Sequence, residues 1–205
     1  AMGTELPEKW SVTISRQMGS LGRDTAQILG EQLGYQVVSR ELINQAARRA
    51  GAPEAALAAI DELGLLGICP SPEACLAYRQ AVETVMHELA ESGGVVLLGR
   101  AGQVILGGWL TAMHVRIYAP VLVRAERIAR RLGISLASAH AQVETSDRFR
   151  RNYLKRFYNV NWEAPELYDV MLNTAHLDAD GAANIIKQAL AQRWLGIPTV
   201  ELSHG

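Results

Sequence analysis

Five short apolar runs, separated by stretches of helical spacing, constrain this chain more than any other feature. The runs are Trp10–Ser15, Tyr35–Val38, Val95–Leu98, His114–Tyr118 and Val170–Leu172. They are rich in β-branched residues, and Val95–Leu98 is unbroken by any polar residue, the pattern of a strand buried on both faces. Between them lie helical segments. Asp24–Leu33 places Ala26, Leu29 and Leu33 on one face and ends at Gly34; Arg40–Ala50, Val121–Leu132, Ser135 to about Phe157, and Gly181–Trp194 follow. Strands alternating with helices predict a parallel α/β sheet. Ligands of such sheets bind beyond the carboxyl ends of the strands. The informative loops are therefore those after Ser15, Val38, Leu98, Tyr118 and Leu172.

Residues 53–93 interrupt the alternation. This segment is alanine-rich and mostly helical, broken by Gly64, Gly67 and the Pro70-Ser71-Pro72 turn. It is too long for a plain connection and predicts an inserted helical lobe within one domain of 205 residues. Composition narrows the function classes. Apolar residues at 49% with 20% charged suit a folded globular domain, and a formal net charge of −1 gives no bulk attraction to nucleic acid or an acidic membrane. Any anion site must then be local. No apolar run approaches the roughly 20 residues of a membrane span, and no leader pattern is read at the N-terminus. Cys69 and Cys75 are expected to be structural thiols in a reducing cytoplasm. The five histidines show no metal spacing.

The loop after the first run carries the first functional signal. A strand, a glycine-bearing loop and a helix form the layout of a phosphate cradle, in which backbone N–H groups and the helix start converge on an anion. The loop is Arg16-Gln17-Met18-Gly19-Ser20-Leu21-Gly22-Arg23. Matching its end to G-x-x-x-x-G-K-[ST] puts Gln17 at the first glycine, Arg23 at the lysine and Asp24 at the hydroxyl position, with Thr25 next to supply a metal-binding hydroxyl. A plain strand-to-helix turn with an exposed arginine has the same order, and the loop alone does not choose between them. Arginine offers a planar fork where lysine offers a mobile point charge, so phosphate binding should survive the exchange better than catalysis.

Taken together, the loops resemble the cytidylate kinase-like family of nucleoside-monophosphate kinases. The resemblance rests on S-R-Q-M-G-S-L-G-R-D-T, V-V-S-R-E-L-I, L-L-G-R-A-G-Q-V-I-L and, most specifically, S-D-R-F-R-R-N-Y-L-K-R-F-Y-N-V-N-W-E-A-P-E-L-Y-D-V-M-L-N-T. It runs from about Val12 to Ile186 and is poorest over 53–90. It implies a P-loop NTPase-type three-layer α/β sandwich with a five-stranded parallel sheet, an acceptor-binding role for the helical lobe, and an arginine-rich lid over about 133–165. It also implies ATP and Mg2+ as cofactors. Gly19, Ser20, Leu21, Gly22, Arg23, Asp24 and Thr25 would hold the ATP phosphates and, through Thr25, the metal. Ser39 and Arg40 would approach the acceptor nucleotide, Arg100 would face its phosphate, and Asp147 with Arg150 would hold its sugar and base. Arg127 and Arg131 would stack on adenine and contact the transferring phosphate, which gives Arg23, Arg100 and Arg131 the catalytic roles. The chain departs from the family pattern at Arg23, at Ala101 where an aspartate is expected, and at Val143 where an arginine is expected.

The chemistry agrees with such a site. Transfer to an anionic acceptor needs positioning and cations and no general base. The second half holds Arg124, Arg127, Arg130, Arg131, Arg148, Arg150, Arg151 and Arg156. Arg127, Arg131, Arg100 and Arg150 fall where ligand-facing loops or a lid are expected, whereas Arg124 and Arg148 read as solvated helix surface. Tyr153, Phe157, Tyr158 and Trp162 could form a base-stacking surface, and their helical spacing favours packing of the lid instead. The leading function is ATP-dependent phosphorylation of CMP or dCMP in the cytoplasm, by a monomer or a homodimer. Two other functions stay open: a small-molecule kinase with another acceptor, motivated by Ala101, and a nucleotide-binding regulatory module without turnover, motivated by Arg23 and Asp24.

Overall fold

The computed structural model describes residues 10–54 and 71–196. Strand β1 (Ser11–Arg16) is the centre of a five-stranded sheet in which every pairing is parallel. It lies between β3 (Val95–Leu98) and β4 (Ala112–Tyr118), with β2 (Gln36–Val38) outside β3 and β5 (Val170–Asn173) outside β4. The register pairs Thr13 with Leu97 and with His114. The carboxyl ends of β1, β3 and β4 therefore stop side by side, and the loops that follow them converge.

The helices are α1 (Gly22–Leu33), α2 (Arg40–Arg49), α3 (Pro72–Ser92), the single turn α4 (Gly102–Ile105), α5 (Val121–Leu132), α6 (Leu136–Tyr158) and α7 (Ala179–Gly196). Serine hydroxyls cap three of them: Ser39, Ser71 and Ser135 accept from the N–H of Leu42, Ala74 and Ser138. Strand alternation splits the core between the two sheet faces. Val96 and Leu98 join Val12, Ile14, Val115 and Ile117 under α1 and α7, while Val95 and Leu97 face α2, α3 and the end of α6. The fold is thus a three-layer α/β sandwich around a parallel sheet: the alternating runs predict the sheet, and the family resemblance implies the sandwich. The part of the expected lobe at residues 55–70 lies outside the described residues. Cys75 is disulfide-bonded, where a thiol is expected. Among the described residues no helix is long and apolar enough to cross a membrane.

One face of the two central strands is polar although buried. The Thr13 hydroxyl lies 2.8 Å from His114 Nδ1, and His114 Nε2 lies 3.2 Å from the Leu106 carbonyl. A carbonyl only accepts, so Nε2 carries the proton and Nδ1 accepts from Thr13. Burial is the main cause of the lowered His114 pKa; Asp169 and the Leu106 carbonyl oppose it. Beside this pair, Ser15 Oγ accepts from the Trp162 indole at 2.7 Å, and the Arg116 guanidinium stacks 4.3 Å from the Trp162 ring. These contacts tie the segment after α6 to the sheet.

Candidate active site

The loop from Gln17 to Leu21 joins β1 to α1, and its carbonyls are bound from behind. Ser20 Oγ donates to Gln17 O at 2.9 Å, Arg124 Nη1 to Met18 O at 3.3 Å, Arg127 Nη1 to Gly19 O at 3.3 Å and Thr174 Oγ1 to Ser20 O at 2.9 Å. With the carbonyls turned back, the N–H groups face forward. Those of Met18, Gly19, Leu21, Gly22, Arg23 and Asp24 donate to no described residue; Thr25 is the first whose N–H closes a helical turn, onto Leu21. Six donors at the start of a helix form an anion cradle. Its shape depends on Gly19. At φ 79°, a Cβ there would stand 2.7 Å from the Arg124 carbonyl. Leu21 adopts φ 63° without being glycine, a local strain of about 1–2 kcal/mol held by the surrounding contacts.

Two clefts open around this cradle. The larger, about 760 Å3, is lined by the loop, by Arg23 and Asp24 at the helix start, and by Arg127, Ile128 and Arg131 of α5. The smaller, about 610 Å3, is lined by Arg40, Arg100, Gln103, Phe149, Tyr153 and Trp162 among others, and by no carboxylate. Arg16 and Arg150 line both. Burial first, and then repulsion from Arg150, Arg40 and Arg23, push Arg16 down to about 9. Burial likewise pushes Arg150 to about 10, against the attraction of Asp147. Both groups stay cationic at neutral pH, inside a cluster that repels itself. Glu41 sits at its edge. Burial acts to raise that carboxyl, but the Ser39 hydroxyl, its own backbone N–H, Arg40 and Arg23 outweigh it and hold it at about 2.

The expected residues do not all meet these clefts. Gly19, Leu21, Gly22, Arg23, Asp24, Arg127 and Arg131 line the larger one, and Arg40, Arg100 and Arg150 the smaller. Arg23 is 69% exposed and reaches toward Glu41 at 3.9 Å. Arg127 also donates to the Thr174 carbonyl at 2.6 Å, so it clamps the loop to the end of β5. Arg100 occupies a left-handed turn with Ala101, donates to Asn44 at 2.9 Å, and lies under 6 Å from the rings of Tyr78 and Tyr153.

Ser20, Thr25, Ser39 and Asp147 line neither cleft. Ser20 is wholly buried beneath the loop, and Ser39 caps α2. Thr25 is wholly buried on the inner face of α1, one residue past the cradle. Its hydroxyl is enclosed and finds no hydrogen-bond partner among the described residues, and Asp24 is the carboxylate that lines the cleft. Among the described residues no three His, Cys, Asp or Glu side chains cluster. Mg2+ takes most of its ligands from water and substrate phosphate, so a single carboxylate fits it.

Asp147 departs furthest from expectation. Its carboxylate pairs with Arg124 through contacts of 2.8 and 3.3 Å and accepts from Gln17 at 3.4 Å. The reading of Arg124 as solvated surface is corrected by the same pair, because Arg124 is 3% exposed and also donates to the Ala119 carbonyl. Val143 takes the place of an expected arginine because α5 and α6 pack there: it is wholly buried with Ala125, Ile128 and Ala139. Arg16 was not among the expected site residues. Phe149, for which the sequence offers no role, lines the smaller cleft with Tyr153 and Trp162, the latter two on the base-stacking reading that lid packing outranks.

Comparison with known proteins agrees with this geometry. The cytidylate kinase of Natronomonas pharaonis is 31% identical over 186 residues, which cover 87% of this chain and 88% of that one. Two further matches are partial: the chain spans 52% of the cytidylate kinase of Thermococcus kodakarensis, at 32% identity over 106 residues, and 22% of a uronate isomerase of Corynebacterium glutamicum, at 30% over 116. Among solved structures, a protein from Eubacterium ventriosum superposes with a TM-score of 0.71 over 90% of this chain and 99% of that one at 19% identity. Shikimate kinase from Acinetobacter baumannii does so with 0.53 over 92% and 97% at 18% identity. These two likenesses are of fold. The model of the cytidylate kinase-like family matches residues 11–176, from the first strand past the fifth and over every element that lines the two clefts, and the chain belongs to that family.

Proposed function

We propose that the protein transfers the terminal phosphoryl group of ATP to a nucleoside monophosphate, CMP or dCMP. The observation that carries this reading is the pair of adjoining clefts that share Arg16 and Arg150. The larger has the N–H cradle for a triphosphate. The smaller has four arginines for a phosphate and the rings of Phe149, Tyr153 and Trp162 for the rest of the acceptor. An acceptor phosphate oxygen attacks the terminal phosphorus while the bond to the bridging oxygen breaks, and ADP leaves with that electron pair. No proton has to be removed from an acceptor that is already anionic. Asp24 would hold Mg2+ together with the phosphates, and the metal would supply neutralising charge there. Helices α5 and α6 act as the lid, excluding water, and α3 belongs to the acceptor lobe. A cytoplasmic location, where ATP is abundant, is part of the reading. The relatives named cytidylate kinase favour cytosine as the base.

One observation favours a second reading. The Asp147 carboxylate, the expected partner of the acceptor's sugar and base, is engaged by Arg124. That suits a kinase for a different small phosphorylated or carboxylated acceptor. The test is ADP release with ATP and Mg2+ against CMP, dCMP, UMP, AMP and GMP separately, beside ATP alone. Release that depends on CMP or dCMP supports the first reading. Tight ATP binding without release to any of the five moves the assignment to the second.

A further inference from the structure

The cation that follows the transferring phosphoryl group in a Walker loop is a lysine at the start of the helix. Arg23 takes that position when the loop is read from Gln17, yet its side chain is 69% exposed and reaches toward Glu41. A register one residue earlier fits the backbone better. It starts at Arg16, puts the last glycine of the pattern at Leu21, and puts the lysine at Gly22. Leu21 does hold the left-handed conformation that a glycine would, at φ 63°, and Gly22 is the first residue of α1.

Gly22 has no side chain to offer, and its place is already taken. A Cβ built on Gly22 would stand 2.4 Å from Arg16 Cβ and 2.9 Å from Arg16 Cγ. The Arg16 side chain therefore runs along the track that a side chain from Gly22 would follow. Further out, a Cβ on Gly99 would fall on Arg16 Nη1. Two glycines, one after β1 and one after β3, clear a channel that delivers this guanidinium to the boundary of the two clefts, both of which it lines. There it makes no hydrogen bond and no ion pair within 4 Å with any described residue. Arg124, Arg127 and Arg100 each donate to protein acceptors instead. A half-buried fork without a hydrogen-bond or ion-pair partner among the described residues, between a triphosphate cradle and an arginine-lined cleft, is one reserved for ligand oxygens.

We propose that Arg16 is the catalytic cation of this loop: its guanidinium bridges the terminal phosphate of the donor and the phosphate of the acceptor, in the role a helix lysine holds elsewhere, and Gly22 and Gly99 are glycines because Arg16 passes over them. This deepens the kinase reading and rests on it. Arg16 contributes charge and position only. No proton leaves it while the bond to the acceptor oxygen forms and the bond to the ADP oxygen breaks.

The test compares Arg16→Met, which keeps the stem that packs on Gly22, with Arg23→Met. First, ATP and ADP affinities are measured by calorimetry without acceptor. Arg16→Met should lose about tenfold or more for ATP and under about twofold for ADP, since the lost contact is to the terminal phosphate. Equal losses for both nucleotides would overturn the proposal. Second, turnover is measured with the best acceptor. Arg16→Met should lower kcat by about 10^2–10^3, and Arg23→Met should lose at least tenfold less. A larger loss in Arg23→Met would restore the later register and overturn ours. Third, the swap Arg16→Gly with Gly22→Lys returns the cation to the helix and should regain at least about tenfold over Arg16→Gly alone; no gain counts against the shared track. The two readings fail separately. Wild-type protein that transfers to no acceptor but discriminates ATP from ADP through Arg16 refutes the acceptor assignment and keeps Arg16 in place, whereas protein that binds no ATP refutes both.

Discussion

Removing one partner of the Arg124–Asp147 pair should unfold the protein well before it disturbs acceptor binding. The pair is nearly dry, with side-chain exposures of 4% and 8%, and its short contact is 2.8 Å. Arg124→Met leaves a buried carboxylate whose remaining side-chain donor is Gln17 at 3.4 Å. Breaking a buried pair by one partner costs about 3–5 kcal/mol, because the uncompensated charge stays inside. For a domain of this size each kcal/mol moves Tm by about 2–4 °C, so Arg124→Met and Asp147→Leu should each lower Tm by roughly 6–20 °C. The double variant should be less destabilised than the sum of the singles by about 2 kcal/mol or more, since replacing both charges removes the desolvation penalty. It will not recover fully, because the Ala119 and Met18 carbonyls lose their donor. Thermal unfolding followed by circular dichroism, with acceptor KM measured in parallel, decides the matter. A Tm shift under about 2 °C for Asp147→Leu, with a KM rise of tenfold or more, would refute this reasoning and return Asp147 to the acceptor site.

Two further outcomes follow from buried groups. The His114 pKa is lowered in the fold, mainly by burial, so the unfolded chain binds the proton more readily. Its contribution to stability should be complete above the ordinary histidine value of about 6.5 and should be lost as pH falls through the lower folded value; urea unfolding across that window should show the loss, and His114→Gln should flatten it. Val143→Arg, which restores the family residue, should destabilise the protein by more than about 3 kcal/mol and improve no kinetic constant, because Val143 is wholly enclosed between α5 and α6. A stable variant with a lower acceptor KM would contradict that packing argument.

The elements with a strong period were legible from sequence, and the paths of side chains were not. Val95–Leu98 and Val121–Leu132 emerge with the expected ends, because an unbroken apolar run and a sharply two-sided helix each admit one placement. The cradle was legible as a strand, a glycine-bearing loop and a helix. Its register was not, since a shift of one residue exchanges Arg23 for Gly22 without altering the composition of the loop. Arg16 went unseen for the same reason: its importance lies in two glycines, six and 83 residues away, that make room for it. Arg124 was misread because helical spacing showed an arginine among arginines, while its partner lies 23 residues further along on another helix. The aromatic lining ranks second in the sequence because helical spacing reports packing alone, whereas Tyr153 and Trp162 belong to the core and also line the cleft.

The cluster of like charges around the two clefts bears on how the protein behaves in any buffer. Arg16, Arg40 and Arg150 repel one another; Glu41 beside Arg40 and Asp147 near Arg150 offset part of this, but no carboxylate lines the smaller cleft. The fold is therefore at its least stable when empty, and any small oxyanion that enters adds RT ln(1 + [L]/Kd), about 2.7 kcal/mol at a hundredfold excess over Kd. Phosphate, sulfate and citrate all qualify. Each would raise Tm and also compete with nucleotide, so apparent affinities measured in phosphate should be weaker than those in chloride. Wherever inorganic phosphate stands well above its Kd, a nucleotide should then arrive by displacing an ion.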